Sequence, residues 1–177
     1  MIMAALAWHY KTVDPAVWAF MVVFTTMQFI EYFLWTNLKN PAANEFWSKI
    51  GWLNVMIQPI VLAFLIKKPE LRTKIIGAYL LAMIVGNYFN PVNFKTSIGG
   101  NGHLAWDWFF STTSIWALLW GAAFFGPMIL AKKWVLLAVG SIGWVVSLFF
   151  GKKYGTIGSY WCWLAVWAWL AALAGLM

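Results

Sequence analysis

Residues 17–35 read VWAFMVVFTTMQFIEYFLW, an unbroken apolar run with one carboxylate, Glu31, set inside it. Nineteen residues at 1.5 Å each are enough to cross the hydrocarbon of a bilayer. A charged, unpaired carboxylate costs about 2.5–3.5 kcal/mol at the centre of such a helix. It is kept only where it faces partners or a water-filled cavity, so Glu31 marks the interior face of its helix.

The rest of the chain has the same character. Of its 177 residues, 63% are hydrophobic and only 10% charged, with a mean hydropathy of +0.75. Soluble domains carry about 25% charge, so the composition predicts an integral membrane protein in a single domain, residues 1–177. Fifteen Trp, fourteen Phe and six Tyr exceed what interfacial anchoring requires. The net charge of +7 does not predict a nucleic-acid partner, because the cations fall between apolar runs, where they orient helices and touch anionic headgroups. A single cysteine, Cys162, excludes an internal disulfide. Met1–Trp8 lacks a basic leader and reads as an interfacial stub anchored by Trp8 rather than a cleaved signal.

Six spans follow from the pattern. Asp14 and Pro15 are start signals for a helix to Trp35. Further helices are expected at Phe46–Ile66, with a kink at Pro59, at Ile75–Phe89, at His103–Leu130, at Trp134–Phe150 and at Ser159–Leu176. Residues 90–102 form the one long connection. Six spans put both termini on one side. Lys11, Lys67, Lys68, Arg72, Lys74, Lys132 and Lys133 share that side, against Lys39, Lys49, Lys95, Lys152 and Lys153 on the other. Seven cations against five place both termini in the cytoplasm. Small residues four apart, Gly143/Ser147, Ala168/Ala172 and Ala171/Gly175, suit close packing of the last two helices.

On this topology the polar residues gather in the half of the bundle away from the termini. Gln28, Glu31 and Trp35 share one helical face. Asn54 and Gln58 are one turn apart, Asn87 ends the third helix, and His103, Asp107 and Ser111 follow at successive turns of the fourth. Ser159 and Cys162 open the sixth. Lipid cannot satisfy such groups, so they are expected to line one polar cavity around Glu31.

Several chemistries fit that set. A buried carboxyl can exchange protons or bind a cation. His103 and Asp107 can share a proton or, with Glu31 as a third ligand, hold a metal. Residues 96–102 are glycine-rich but lack a preceding pore helix, so a flexible loop is the simpler reading than a selectivity filter. Trp116, Trp120, Trp144, Trp167 and Trp169 lie deep in the spans and could cage an organic cation or a planar guest, although bulky packing explains them as well. No lysine lies inside a span for a retinal Schiff base. A Cys162–His103 nucleophile pair has no accompanying oxyanion signature.

Two stretches carry a resemblance. Gln28-x-x-Glu31-x-x-x-Trp35 and Ser159-x-Trp161-Cys162-Trp163 resemble motifs of a group of small polytopic membrane proteins from bacteria and large DNA viruses. The resemblance covers the first and last helices only. It departs from the group at Tyr32, where the relatives have Gly, and at Met1–Trp8, where they have a further helix. It implies that Gln28, Glu31 and Trp161–Trp163 act together, and it names no reaction. The expected activity is therefore a small proton or ion channel or transporter, assembled as an oligomer. The alternatives are an intramembrane enzyme on a lipid-like substrate, using Glu31, His103 and Asp107, and a scaffold whose Trp35, Trp116, Trp120, Trp161 and Trp163 enclose a hydrophobic ligand.

Overall fold

The structure is a computed structural model that describes residues 13–109, 115–163 and 165–174, with the backbone alone for Ala165 and Val166. Ser111, His9 and Met1–Trp8 lie outside the described residues. Seven helices and one short hairpin follow in order: α1 Pro15–Thr36, α2 Pro41–Ala63, α3 Pro69–Phe89, β1 Thr96–Ile98, β2 Leu104–Trp106, α4 Ile115–Leu130, α5 Trp134–Gly151, α6 Ile157–Trp163 and α7 Ala165–Leu173. A 3-10 turn, Lys152–Tyr154, links α5 to α6. By length and composition, Pro15–Thr36 and Trp134–Tyr154 are apolar enough to cross a membrane.

The starts of the first three helices share one device, a proline at the first helical position where a backbone N–H is unneeded. Asp14 Oδ1 accepts from Ala16 N at 2.9 Å, and Asn40 Oδ1 accepts from Ala43 N at 3.2 Å. Pro41 therefore begins α2 five residues before the expected Phe46, and Pro69 begins α3 inside what reads in the sequence as a charged loop.

Pro59 stays inside α2 without ending it. It has no N–H for the Val55 carbonyl one turn back. Trp120 of α4 fills that role, its Nε1 donating to Val55 O at 3.2 Å.

Helices α1 to α5 run alternately up and down. At one end Lys133, in the α4–α5 turn, pairs with Asp14 at 3.7 Å. At the other end the hairpin seats against the start of α2 and the α5–α6 turn. β1 and β2 are antiparallel, with Thr96 opposite Trp106 and Ile98 opposite Leu104.

The expected helix from His103 is thus corrected: residues 104–106 are a strand, and the described part of α4 begins at Ile115. The side chains explain why. Leu104 and Trp106 alternate inward with Ala105 between them, the two-residue period of a strand. Opposite them the 90–102 connection supplies the pairing partner and a glycine, Gly102, at φ 78° for the turn.

Thr96 anchors the hairpin. Asn44 of α2 brackets its backbone, donating from Nδ2 to Thr96 O at 3.0 Å and accepting from Thr96 N at 2.9 Å. The Thr96 hydroxyl shares a hydrogen bond with Ser48 Oγ at 2.8 Å and accepts from Trp108 Nε1 at 3.0 Å. Trp106 and Trp108 stack face to face at 4.5 Å. Two glycines admit this pair of indoles. A Cβ at Gly158 would stand 2.1 Å from Trp106, and one at Gly51 would stand 3.0 Å from Trp108.

Between the ends the core is aromatic. Phe20, Phe24, Phe124, Trp120, Trp144 and Trp161 interlock at centroid separations of 4.8–5.9 Å. Gly143, Ser147, Ala168 and Ala172 are buried as expected of small packing residues.

Candidate functional site

Glu31 points inward from α1 and is 5% exposed. Ser159 of α6, itself buried, is the polar residue set beside it. One turn along α1, Gln28 Nε2 donates to the Cys162 carbonyl at 2.9 Å. The two motifs at opposite ends of the sequence therefore meet, α1 to α6, in one contact. Glu31 Oε1 is buried with no hydrogen-bond partner among the described residues. The arrangement gives a buried carboxyl with an unpartnered acceptor, next to the Gln28 amide and the helix that carries the Ser159 hydroxyl.

Beneath this contact the packing turns dry. Phe24, one turn below Gln28, packs on Trp161 at 5.5 Å, and Trp161 packs on Phe124 at 5.5 Å. A void of about 20 Å³ follows, lined by Phe20, Phe24, Phe124, Met128, Leu136 and their neighbours. It has room for about one water but no polar wall to hold one.

Asn54 and Gln58 form a second polar contact. Asn54 Nδ2 donates to Val23 O at 3.0 Å, and Gln58 Nε2 donates to Asn54 Oδ1 at 3.3 Å. Val23 precedes Glu31 by eight residues, about 12 Å along the helix. It also lies away from Gln28 around the helix, since five residues turn the helix by about 140° beyond one full turn. Gln58 is fully buried and its Oε1 lacks a partner among the described residues.

The third group lies at the hairpin end. Asn87 and Trp116 line an open cavity of about 280 Å³ together with Asp107 and Trp108. Here the expected stripe of His103, Asp107 and Ser111 on one helix is corrected, because His103 and Asp107 flank strand β2. His103 lies tilted against Tyr160 at 4.4 Å and meets Trp163 edge-on at 5.4 Å. Asp107 instead accepts from Asn93 Nδ2 at 3.4 Å. No group of three His, Cys, Asp or Glu side chains gathers among the described residues, so the metal arrangement of Glu31 with His103 and Asp107 does not form.

The tryptophans serve different ends. Trp120 supports the proline-bearing helix and Trp161 fills the core, while Trp169 Nε1 donates to Thr25 Oγ1 of α1 at 2.6 Å. Trp35, Trp163 and Trp167 face outward at 42%, 61% and 66% exposure. They do not form one cage.

Sequence reading misses the Thr96 anchor and the Thr156 hydroxyl, which accepts from Asn101 Nδ2 at 2.9 Å. The signal for the anchor is present as Asn44, Ser48 and Gly51 at i, i+4 and i+7, a small polar stripe on an early turn of α2.

Comparison with known protein families, curated proteins and solved structures returned no match.

Proposed function

We propose that the chain is a six-span integral membrane protein, both termini cytoplasmic, that moves a proton or small cation by way of Glu31. The observation that carries this reading is the buried Glu31 carboxyl with one oxygen unpartnered inside an apolar helix. A proton or a cation is what such an oxygen lacks.

The membrane part of the reading rests on the outward faces. Large apolar side chains are exposed on every long helix, among them Phe29, Leu53, Leu81, Leu118 and Phe149. A water-soluble surface rarely exposes apolar patches on this scale. The alternation of helices, with Asp14 and Lys133 at one end and the hairpin at the other, fits six crossings. α6 and α7 together form the last of these crossings.

The route enters from the hairpin side past His103 and Ser159 and reaches Glu31 and Gln28. It then meets the Phe24–Trp161–Phe124 layer, which acts as a hydrophobic gate.

The test is flux in proteoliposomes, read by an internal pH dye under an imposed potential. Wild type should exceed empty vesicles, and Glu31→Gln should lose flux at least tenfold while near-ultraviolet circular dichroism stays unchanged. Equal flux from wild type and Glu31→Gln, with folding intact, removes Glu31 from the mechanism.

A further inference from the structure

The open cavity at the hairpin end is separate from Glu31 and plays no part in the route proposed through it. Its wall comes from five pieces of chain: Trp52 and Met56 of α2, Met83 to Asn87 near the end of α3, residues 90–93, residues 107–109 and Trp116 of α4. Three indoles, Trp52, Trp108 and Trp116, and the phenyl ring of Phe109 thus surround one space. Trp108 is fixed from behind by its bond to Thr96 and its stack on Trp106. Trp116 is fixed by close approach to Gly86, where a Cβ would fall 2.8 Å from the indole.

Among the described lining residues Asp107 carries the only ionisable side chain. It is exposed at the rim and forms no ion pair among the described residues, since Lys49 pairs with Glu45 and Lys133 with Asp14. The C-terminal end of α3 borders the space, and its carbonyl end favours positive charge there. Asp107 is thus the formal charge that borders the space, while Lys95, whose carbonyl accepts from the Asp107 N–H at 3.0 Å, lies outside the lining. The remaining polar groups, Asn87, Asn90 and Asn93, are neutral.

Aromatic faces with one carboxylate attract a cation that also has apolar surface. A volume of about 280 Å³ stands at the lower edge of small-molecule pockets, roughly 300–1,000 Å³. We infer that this cavity binds a compact organic cation of the quaternary-ammonium class, its methyl groups against Trp52, Trp108 and Trp116 and its charge beside Asp107. A free cation and the headgroup of a choline lipid share this chemistry.

The test is calorimetric titration of the full chain in maltoside micelles at fixed ionic strength. Tetramethylammonium and choline should bind saturably. 3,3-Dimethylbutanol, the uncharged counterpart of choline, should bind at least tenfold more weakly. Asp107→Asn should lose tenfold or more for choline and little for the alcohol. The side chain's one hydrogen bond is long, so this variant keeps the fold. Dihexanoylphosphatidylcholine, with dihexanoylphosphatidylglycerol as its control, separates the sources: tighter binding than choline assigns the site to lipid, and equal or weaker binding assigns it to the free cation. The proposal is overturned if choline does not bind saturably, if the alcohol binds as tightly as choline, or if Asp107→Asn binds choline within twofold of wild type. The alcohol comparison needs no variant, so it stands even if Asp107→Asn misfolds.

Discussion

Replacing Asn44 with alanine tests the anchor that seats the hairpin. The amide of Asn44 satisfies both backbone groups of Thr96, at 2.9 and 3.0 Å, and Thr96 is 2% exposed. Water cannot easily replace the lost partners. A buried backbone group left unsatisfied costs about 1–3 kcal/mol, so two give about 2–6 kcal/mol before relaxation. Some relaxation follows from the short strand and its turn, which places the expected loss near the lower half of that range, about 3 kcal/mol. The neighbouring Glu45→Ala removes only an exposed pair with Lys49 and should cost about 0–0.5 kcal/mol. Unfolding by dodecyl sulfate titration in mixed micelles, followed by tryptophan fluorescence, measures both. Hydrogen exchange at the Thr96 amide gives the local readout, protected in wild type and fast in Asn44→Ala. If Asn44→Ala costs no more than Glu45→Ala and the Thr96 amide stays protected, the hairpin is not held by this residue and the reasoning fails.

Trp120→Phe should destabilise by about 1 kcal/mol by removing the donor to Val55 O. The same change in a Pro59→Ala background should cost less, because the restored N–H takes over that carbonyl. A double-mutant cycle with coupling near zero would show that the indole and the proline are unrelated. The six-span reading predicts opposite sidedness for two exposed lysines, Lys67 and Lys153. In a Cys162→Ala background, Lys67→Cys should react with an impermeant maleimide only in inverted vesicles and Lys153→Cys only in intact cells. Labelling of both from the same side would exclude the topology.

The helices were legible because their signals are local. Asp14 before Pro15, the apolar period of residues 17–35 and the cationic breaks all act within a turn or two of chain. The bond from Gln28 to the Cys162 carbonyl joins two helices whose polar residues share one depth when counted along the sequence. The hairpin was not legible in this way. Residues 103–109 carry apolar side chains at spacings compatible with either a strand or a helix. What decides between them is Thr96, Asn44 and Gly158, up to 60 residues away. Asn54 and Gln58 failed to join Glu31 for a related reason. Depth in a bilayer can be counted along the sequence, but the side of α1 that each neighbour occupies depends on how all the helices pack.

The hairpin also sets an order of assembly. Asn44 leaves the ribosome 52 residues ahead of its partner Thr96, and Asn101 waits 55 residues more for Thr156. One flank of the ribbon can dock as soon as it is synthesised. The other flank stays unmatched until residues 156–158 have emerged, and Trp106 meets Gly158 only then. A chain cut before residue 156 therefore leaves the ribbon half seated, with the Trp106–Trp108 pair uncovered on the side that Gly158 closes.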